Sequence, residues 1–272
     1  MPELPEVETI RRDLNRRILN HTIQDIRFFD TRVIRNISPQ VFRSALLGQT
    51  IDQIQRRGKA LVFHLKPGAG LFVIQLMMTG QLVLRRDMRR EPATKVVFVL
   101  SNGRYLHYND QRVFGRLQIV ANLETIKYFR VLGPEPLSRG FTAQKLAEAV
   151  KTRRRAIKDV LLDHQAIAGI GNIYAAEILF AAGIDPRRLA SDLESREIFR
   201  LHHATRKILR QAVLLRGSSV NTYRDAAGHK GNFINHIKVY DRTGQACPRC
   251  RKPVSRIVQA GRSTFFCEGC QK

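Results

Sequence analysis

"LGPEPLS" (132–138) separates two kinds of sequence. Proline fixes φ and removes a backbone donor, so this stretch breaks regular structure. Upstream lie short segments rich in β-branched and aromatic residues: "TIQDIRFF" (22–29), "TIDQIQ" (50–55), "ALVFHL" (60–65), "LFVIQLM" (71–77), "QLVLR" (81–85), "KVVFVL" (95–100), "GRYLHY" (103–108) and "RLQIV" (116–120). Turn signals such as "PGAG" and "SNG" separate them, which predicts a sandwich or barrel. Before them, residues 5–19 read as an amphipathic helix with Val7, Ile10, Leu14 and Ile18 on one stripe. Downstream the apolar period becomes helical over 142–150, 153–164, 172–182 and 193–215. A loop-rich stretch, 216–233, and a cysteine-bearing module, about 237–272, complete the chain.

Composition narrows the partner. The chain carries 47 Lys+Arg against 23 Asp+Glu, a formal net charge of +24. Such a field favours a polyanion, nucleic acid before an anionic membrane surface. An apolar fraction of 43% excludes wholesale disorder. The first twenty residues hold no basic-then-apolar leader. "AIAGIGNIYAAEILFAAGI" (166–184) is the one stretch resembling a membrane span. Because it holds Asn172, Glu177 and three glycines, it reads better as a buried helix entered through a glycine turn.

All four cysteines fall in "CPRC" (247–250) and "CEGC" (267–270), with sixteen residues between the pairs. That spacing is a four-thiolate tetrahedral zinc pattern, and the intervening residues read as a hairpin. A redox CxxC is the alternative, although one pair would serve for that. Arg249, Arg251, Lys252, Arg256 and Arg262 surround the hairpin as candidate phosphate contacts or a solvated surface, with Arg262 at its expected tip. Upstream, a Gly-Ile-Gly turn opens a helix near Asn172, and "KTRRRAIK" (151–158) precedes it. Free N–H groups at such a helix start bind phosphate, although a lone GxG is also a common packing turn.

Together "PELPEVET" (2–9), "QRRGKAL" (55–61), "MMTGQL" (77–82), "DQRVFGR" (110–116), "LGPEPL", "LLDHQAIAGIGNIYAAEILFAAGIDP" (161–186) and "GRSTFFCEGC" (261–270) form an ordered set. The set resembles the formamidopyrimidine-DNA glycosylase family, bacterial enzymes of oxidised-purine repair, from residue 2 to the last cysteine. The resemblance implies an α+β multidomain fold. An N-terminal β-sandwich with flanking helices would span 1–132, a helix-two-turn-helix domain 133–236, and a four-cysteine zinc finger 237–272. It implies a cytoplasmic monomer acting on double-stranded DNA with oxidised bases or abasic sites, with no membrane partner and one structural zinc on Cys247, Cys250, Cys267 and Cys270.

The resemblance also assigns roles. With Met1 removed, Pro2 would present a secondary amine as the Schiff-base nucleophile, Glu3 would donate a proton, and Glu6 would hold the terminus. Lys59 and Arg262 would serve β- and δ-elimination, Arg262 also contacting phosphate. Met78, Arg112 and Phe114 would fill the gap left by an extruded base. Lys158, Asn172 and Tyr240 would contact DNA, and 216–235 would cover the extruded base. The chain departs from the family pattern at Gln75, Met77, Gln111 and Val113, where a His, a Gly, a Pro and an Arg are usual, and "PATKVV" (92–97) replaces a histidine-bearing segment. Two other readings share most of these features: a pyrimidine-directed sister glycosylase, and a zinc-bearing DNA binder without catalysis.

Overall fold

The alternating segments of the first half close into two four-stranded antiparallel sheets. Strands β1 (Ile23–Phe28), β2 (Thr50–Arg57), β3 (Ala60–Lys66), β4 (Leu71–Gln75), β5 (Gly80–Arg85), β6 (Thr94–Leu100), β7 (Tyr105–Asp110) and β8 (Arg116–Val120) take the orders β1-β6-β7-β5 and β2-β3-β4-β8. This is a computed structural model, and it describes residues 1–272 apart from Ala69 and Asn221.

Alternate residues of both sheets share one core: Leu61, Phe63, Phe72 and Ile74 from one, Leu82, Val96, Phe98 and Leu106 from the other. Phe72 lies 5.5 Å from Phe98 and 5.3 Å from Phe63, so the sheets pack face to face. Helix α1 (Leu4–Asn15) adds Val7, Ile10 and Leu14 to that core. It stops four residues short of the expected end, and Ile18 is buried from the turn that follows. Helix α2 (Pro39–Leu46) was not expected. Its signals were local: Ser38 Oγ accepts the Val41 N–H, Pro39 occupies the first turn, and Phe42 packs on Phe72.

After α3 (Lys127–Arg130) the chain becomes helical. Helices α4 (Ala143–Lys151), α5 (Ile157–Leu162), α6 (Asn172–Ala182) and α7 (Ser195–Leu214) are followed by a hairpin of β9 (Ser255–Gln259) and β10 (Arg262–Phe266). Helix α5 is shorter than the expected 153–164, and Ala156 instead forms a bridge to Leu189. Helix α6 is apolar on nearly every side and buried, as its composition implied. Among the described residues, no helix is long and apolar enough to cross a membrane.

Two units are compact in themselves: Met1–Arg130 with Leu215–Ile234, and Val131–Leu214 with Asn235–Lys272. Residues 215–234, grouped by sequence with the helical region, therefore cluster with the sandwich.

Candidate active site and metal centre

The chain terminus is built into the first unit. Glu3 is the N-cap of α1, and Pro5 lies in the first turn, where its missing N–H leaves no hydrogen bond unmade. Glu6 Oε2 accepts the Glu3 N–H at 2.8 Å, while Oε1 accepts the Ser218 N–H at 2.7 Å. Pro2, Glu3 and Glu6 are all buried. Burial pulls the α-amino group of Met1 below its ordinary value of 8.0. The carboxylates of Glu3 and Glu6 oppose the shift, and the charge of Lys59 adds to it. The amine, two carboxylates and one ammonium thus share a local field. Lys59 occupies the two-residue turn between β2 and β3, and its backbone N–H donates to the Tyr128 hydroxyl at 3.2 Å.

Three predicted insertion residues come together at the end of the sandwich. Arg112 stacks over Phe114 at 4.6 Å, and its Nη1 lies 3.2 Å from the Met78 sulfur. Met78 and Phe114 are 41% and 47% exposed, so Arg112 gathers two apolar side chains that remain open to solvent. Asp110, fully buried, organises the support: it accepts the Thr79 hydroxyl at 2.5 Å and the Gly115 N–H at 2.7 Å. Thr79 in turn accepts the Arg112 N–H at 3.0 Å. Only glycine fits at 115, because a Cβ there would lie 1.5 Å from the Tyr108 hydroxyl. Met77 (φ 53) and Val113 (φ 56), two of the departures from the family pattern, flank this cluster in the left-handed region. A third departure, Gln75, is buried with Oε1 unpartnered.

In the second unit, Lys158, Asn172 and the tip of the β9–β10 hairpin converge. Lys158 is fully buried, and its Nζ donates to the Ser263 carbonyl at 3.0 Å and the Thr264 hydroxyl at 2.6 Å. Burial brings its pKa down to about 8; Asp159 opposes and Arg262 reinforces the shift. Asn172 Nδ2 donates to the same Ser263 carbonyl at 3.0 Å, while its Oδ1 is buried without a partner. Arg262 is exposed beside them. Lys158 therefore braces the hairpin rather than presenting its charge to solvent. Arg249, another candidate phosphate contact, instead donates to the Phe180 and Ala181 carbonyls at the end of α6. Tyr240 is half-buried, its ring 5.1 Å from that of Phe265.

The four cysteine sulfurs lie within 4.8 Å of one another, with Cys247–Cys270 at 3.8 Å and Cys250–Cys267 at 3.4 Å. Zinc–sulfur bonds of about 2.3 Å in a tetrahedron separate the sulfurs by roughly 3.8 Å, so the cluster fits one structural zinc. Four thiolates leave no open coordination position. Val239, Val254 and Phe265 pack with Ala176 and Phe180 of α6 around Cys247 and Cys267. Glu177, read in the sequence only as evidence against a membrane span, accepts the N–H groups of Lys238, Val239 and Tyr240 at 2.9, 2.9 and 3.0 Å.

Several residues of these sites escaped the sequence reading. Asp13, Asp110, Tyr128 and Glu177 act through partners distant in sequence, and Asp225 through Arg216 and the Ala227 and His229 N–H groups of its own segment. The available signal was an acid at an otherwise apolar position, as at Asp110 and Glu177.

A β-sandwich with a buried Pro2–Glu3 stretch at its terminus, a cluster of helices and a four-thiolate zinc hairpin define the class. Family models agree across the chain: the formamidopyrimidine-DNA glycosylase N-terminal domain matches residues 1–117, the H2TH domain of the same glycosylase 132–224, and the zinc finger found in FPG and IleRS 244–272. The formamidopyrimidine-DNA glycosylase of Moorella thermoacetica is 46% identical over 260 residues, covering 94% of each chain. That of Desulfitobacterium hafniense is 43% identical over the whole of both. The crystal structure of MutM (Fpg) from Thermus thermophilus matches with a TM-score of 0.89 at 40% identity, covering 99% of this chain and 98% of that one. Lactococcus lactis Fpg bound to DNA containing an abasic site matches at 0.91 and 34%, covering 99% of each. The chain belongs to the formamidopyrimidine-DNA glycosylase family.

Proposed function

We propose that this protein is a bifunctional base-excision repair enzyme: it removes oxidised purines, 8-oxoguanine and formamidopyrimidines, from duplex DNA and then cleaves the abasic strand. Family membership supports the reaction class, as do relatives crystallised with DNA containing Fapy-dG or an abasic site. The observation that carries the reading for this chain is the buried Pro2, Glu3 and Glu6 at the start of α1, with Glu6 holding the Glu3 N–H.

The chemistry follows from that cluster. With Met1 removed, the Pro2 nitrogen attacks the sugar C1′, and the bond from C1′ to the base breaks. Glu3 supplies the proton that the departing base or the opening sugar ring requires. The nitrogen loses its remaining proton and forms an iminium with C1′ as the C1′–O4′ bond breaks and O4′ takes up a proton; the iminium acidifies C2′–H. Loss of that proton expels the 3′ phosphate, and a second elimination expels the 5′ phosphate. Lys59 serves the first elimination, and Arg262 the second or its phosphate. Met78, Arg112 and Phe114 fill the vacated stack, with Arg112 donating to the orphaned base. Asn172, Lys158 and Arg262 make up the phosphate-binding corner, Lys158 by bracing the hairpin. Bound zinc supplies fold stability to the C-terminal module and no chemistry. The working division is 1–132, 133–236 and 237–272, in a cytoplasmic monomer associated with the bacterial nucleoid through DNA.

Intact-protein mass spectrometry after borohydride treatment with abasic duplex tests the reading. The expected result is a mass lacking Met1, shifted by one covalent DNA adduct. An untagged protein that never forms the adduct is a DNA binder and not this enzyme. Comparing excision of 8-oxoguanine opposite cytosine with excision of thymine glycol separates the purine-directed reading from the pyrimidine-directed one. The pH dependence carries a sign. The burial that lowers the Met1 amine should act the same way on a Pro2 amine exposed by loss of Met1. Trapping should therefore reach its plateau at a lower pH than imine formation by a free prolyl peptide, and a plateau at higher pH contradicts the reading.

A further inference from the structure

We propose that Arg216 is a positioning residue for base excision, holding the 215–231 segment against the helix that begins at the reactive terminus. The inference rests on the glycosylase reading above. Glu6 and Asp13 are seven residues apart on α1, two turns along the same face, and both are buried. Both meet the same segment. Glu6 takes the Ser218 N–H, and Asp13 takes the Arg216 guanidinium.

The same guanidinium reaches across the segment. Its Nε and Nη2 donate to Asp225 Oδ2 at 2.9 and 2.6 Å. Asp225 is fully buried, and its other oxygen accepts the Ala227 and His229 N–H groups, both at 2.9 Å. One cation therefore ties the outgoing limb, the returning limb and α1 together. Contact with the helix is close, since a Cβ on Gly217 (φ 80) would lie 2.8 Å from Glu6 Oε1. Arg216 itself has φ 64, a left-handed conformation unfavourable for a residue with a side chain. Pairing with two buried carboxylates offsets that cost.

A base that has left the stack must be held while its bond to the sugar breaks. An abasic site presents no base, so elimination there makes no demand on the segment. A guanidinium that positions the segment should matter to excision far more than to elimination, whereas a mere structural staple should affect both alike.

Two variants of the full-length, zinc-loaded protein separate these cases. Arg216→Gly removes the cation and relieves the left-handed strain; Arg216→Lys keeps the charge without the two-pronged donor. Single-turnover rates are measured on duplex with 8-oxoguanine opposite cytosine and on duplex with a preformed abasic site. Arg216→Gly should lower excision at least tenfold relative to abasic-strand cleavage, with Arg216→Lys recovering part of the loss. Equal losses on both substrates, or none on either, overturn the inference. Should Arg216→Gly fail to fold, the milder Asp13→Asn is read by the same ratio. Wild-type protein that neither traps nor cleaves abasic DNA refutes the glycosylase reading itself; active wild-type with an unmoved ratio in the variants refutes only the role of Arg216.

Discussion

The two ends of the chain use the same device and finish it differently. Each has a buried glutamate collecting backbone N–H groups: Glu6 takes those of Glu3 and Ser218, and Glu177 takes those of Lys238, Val239 and Tyr240. At the N-terminus the remaining support comes from separate contributions: apolar burial of α1, the Asp13–Arg216–Asp225 pairing and the β2–β3 turn. At the C-terminus a small apolar cluster and the Lys158 brace assist, but the module's own fold hangs chiefly on one ion shared by four thiolates. A site with many comparable supports should degrade by degrees, and a site dominated by one should fail at once.

Zinc removal is the largest test of that contrast. Structural zinc sites contribute on the order of 10–16 kcal/mol of binding free energy to folding. The protein should hold one zinc per chain by atomic absorption. Chelation, or Cys267→Ser, should make residues from about 235 onward protease-sensitive in one step and abolish binding to abasic duplex. The sandwich should keep its cooperative melt, because its core contains no residue of the module. A gradual loss of protease resistance with chelator would break the contrast.

Glu6→Gln is the intermediate test. One oxygen becomes an NH2 group facing a backbone N–H, so one hydrogen bond is lost and a donor meets a donor. Leaving a buried donor unpaired costs about 1–3 kcal/mol. Calorimetry should show a lowered but still cooperative melt. The trapping rate should fall further than the stability loss accounts for, because the Glu3 N–H loses its anchor beside the nucleophile. Unchanged trapping would mean that Glu6 holds the segment at 218 and not the terminus.

The legibility of the sequence follows the same contrast. Cys247, Cys250, Cys267 and Cys270 were readable because metal geometry imposes a spacing along the chain. Phe63, Phe72 and Phe98 were readable as strand residues because they lie in short runs rich in β-branched and aromatic residues bounded by turn signals. Pro2, Glu3 and Lys59 were not readable from pattern: a charged helix start and a lysine beside a turn are ordinary, and only the family's ordered motifs singled them out. Asp13, Asp110 and Glu177 were invisible because partners such as Arg216, Thr79 and Val239 are set by tertiary approach, not by spacing. Lys158 was legible as a basic residue near a phosphate-binding turn, but its complete burial depends on the hairpin 105 residues further on. The segment 215–234 carries loop chemistry but clusters with the sandwich because Glu6 and Asp13 give it partners and its Tyr223 and Ala226 enter the sandwich core.

The smallest effect concerns backbone strain. Met77 (φ 53) and Val113 (φ 56) are left-handed beside the insertion residues, and Arg251 (φ 68) is left-handed at the zinc knuckle. A side chain in that region costs about 1–2 kcal/mol, most for a β-branched residue. Glycine removes the clash but enlarges the unfolded ensemble, which cancels part of the gain. Met77→Gly should therefore stabilise the sandwich by about 0.5–1 kcal/mol, a rise of roughly 1–4 °C in Tm for a chain of this size. Val113→Gly should gain less, because Val113 also packs against the core. Arg251→Gly should leave the sandwich melt alone and alter only the chelator concentration at which zinc is lost, since the ion fixes the backbone there. If Met77→Gly instead lowers Tm, the packing of the Met77 side chain outweighs its strain, and the turn that carries Met78 is held by that side chain rather than in spite of it.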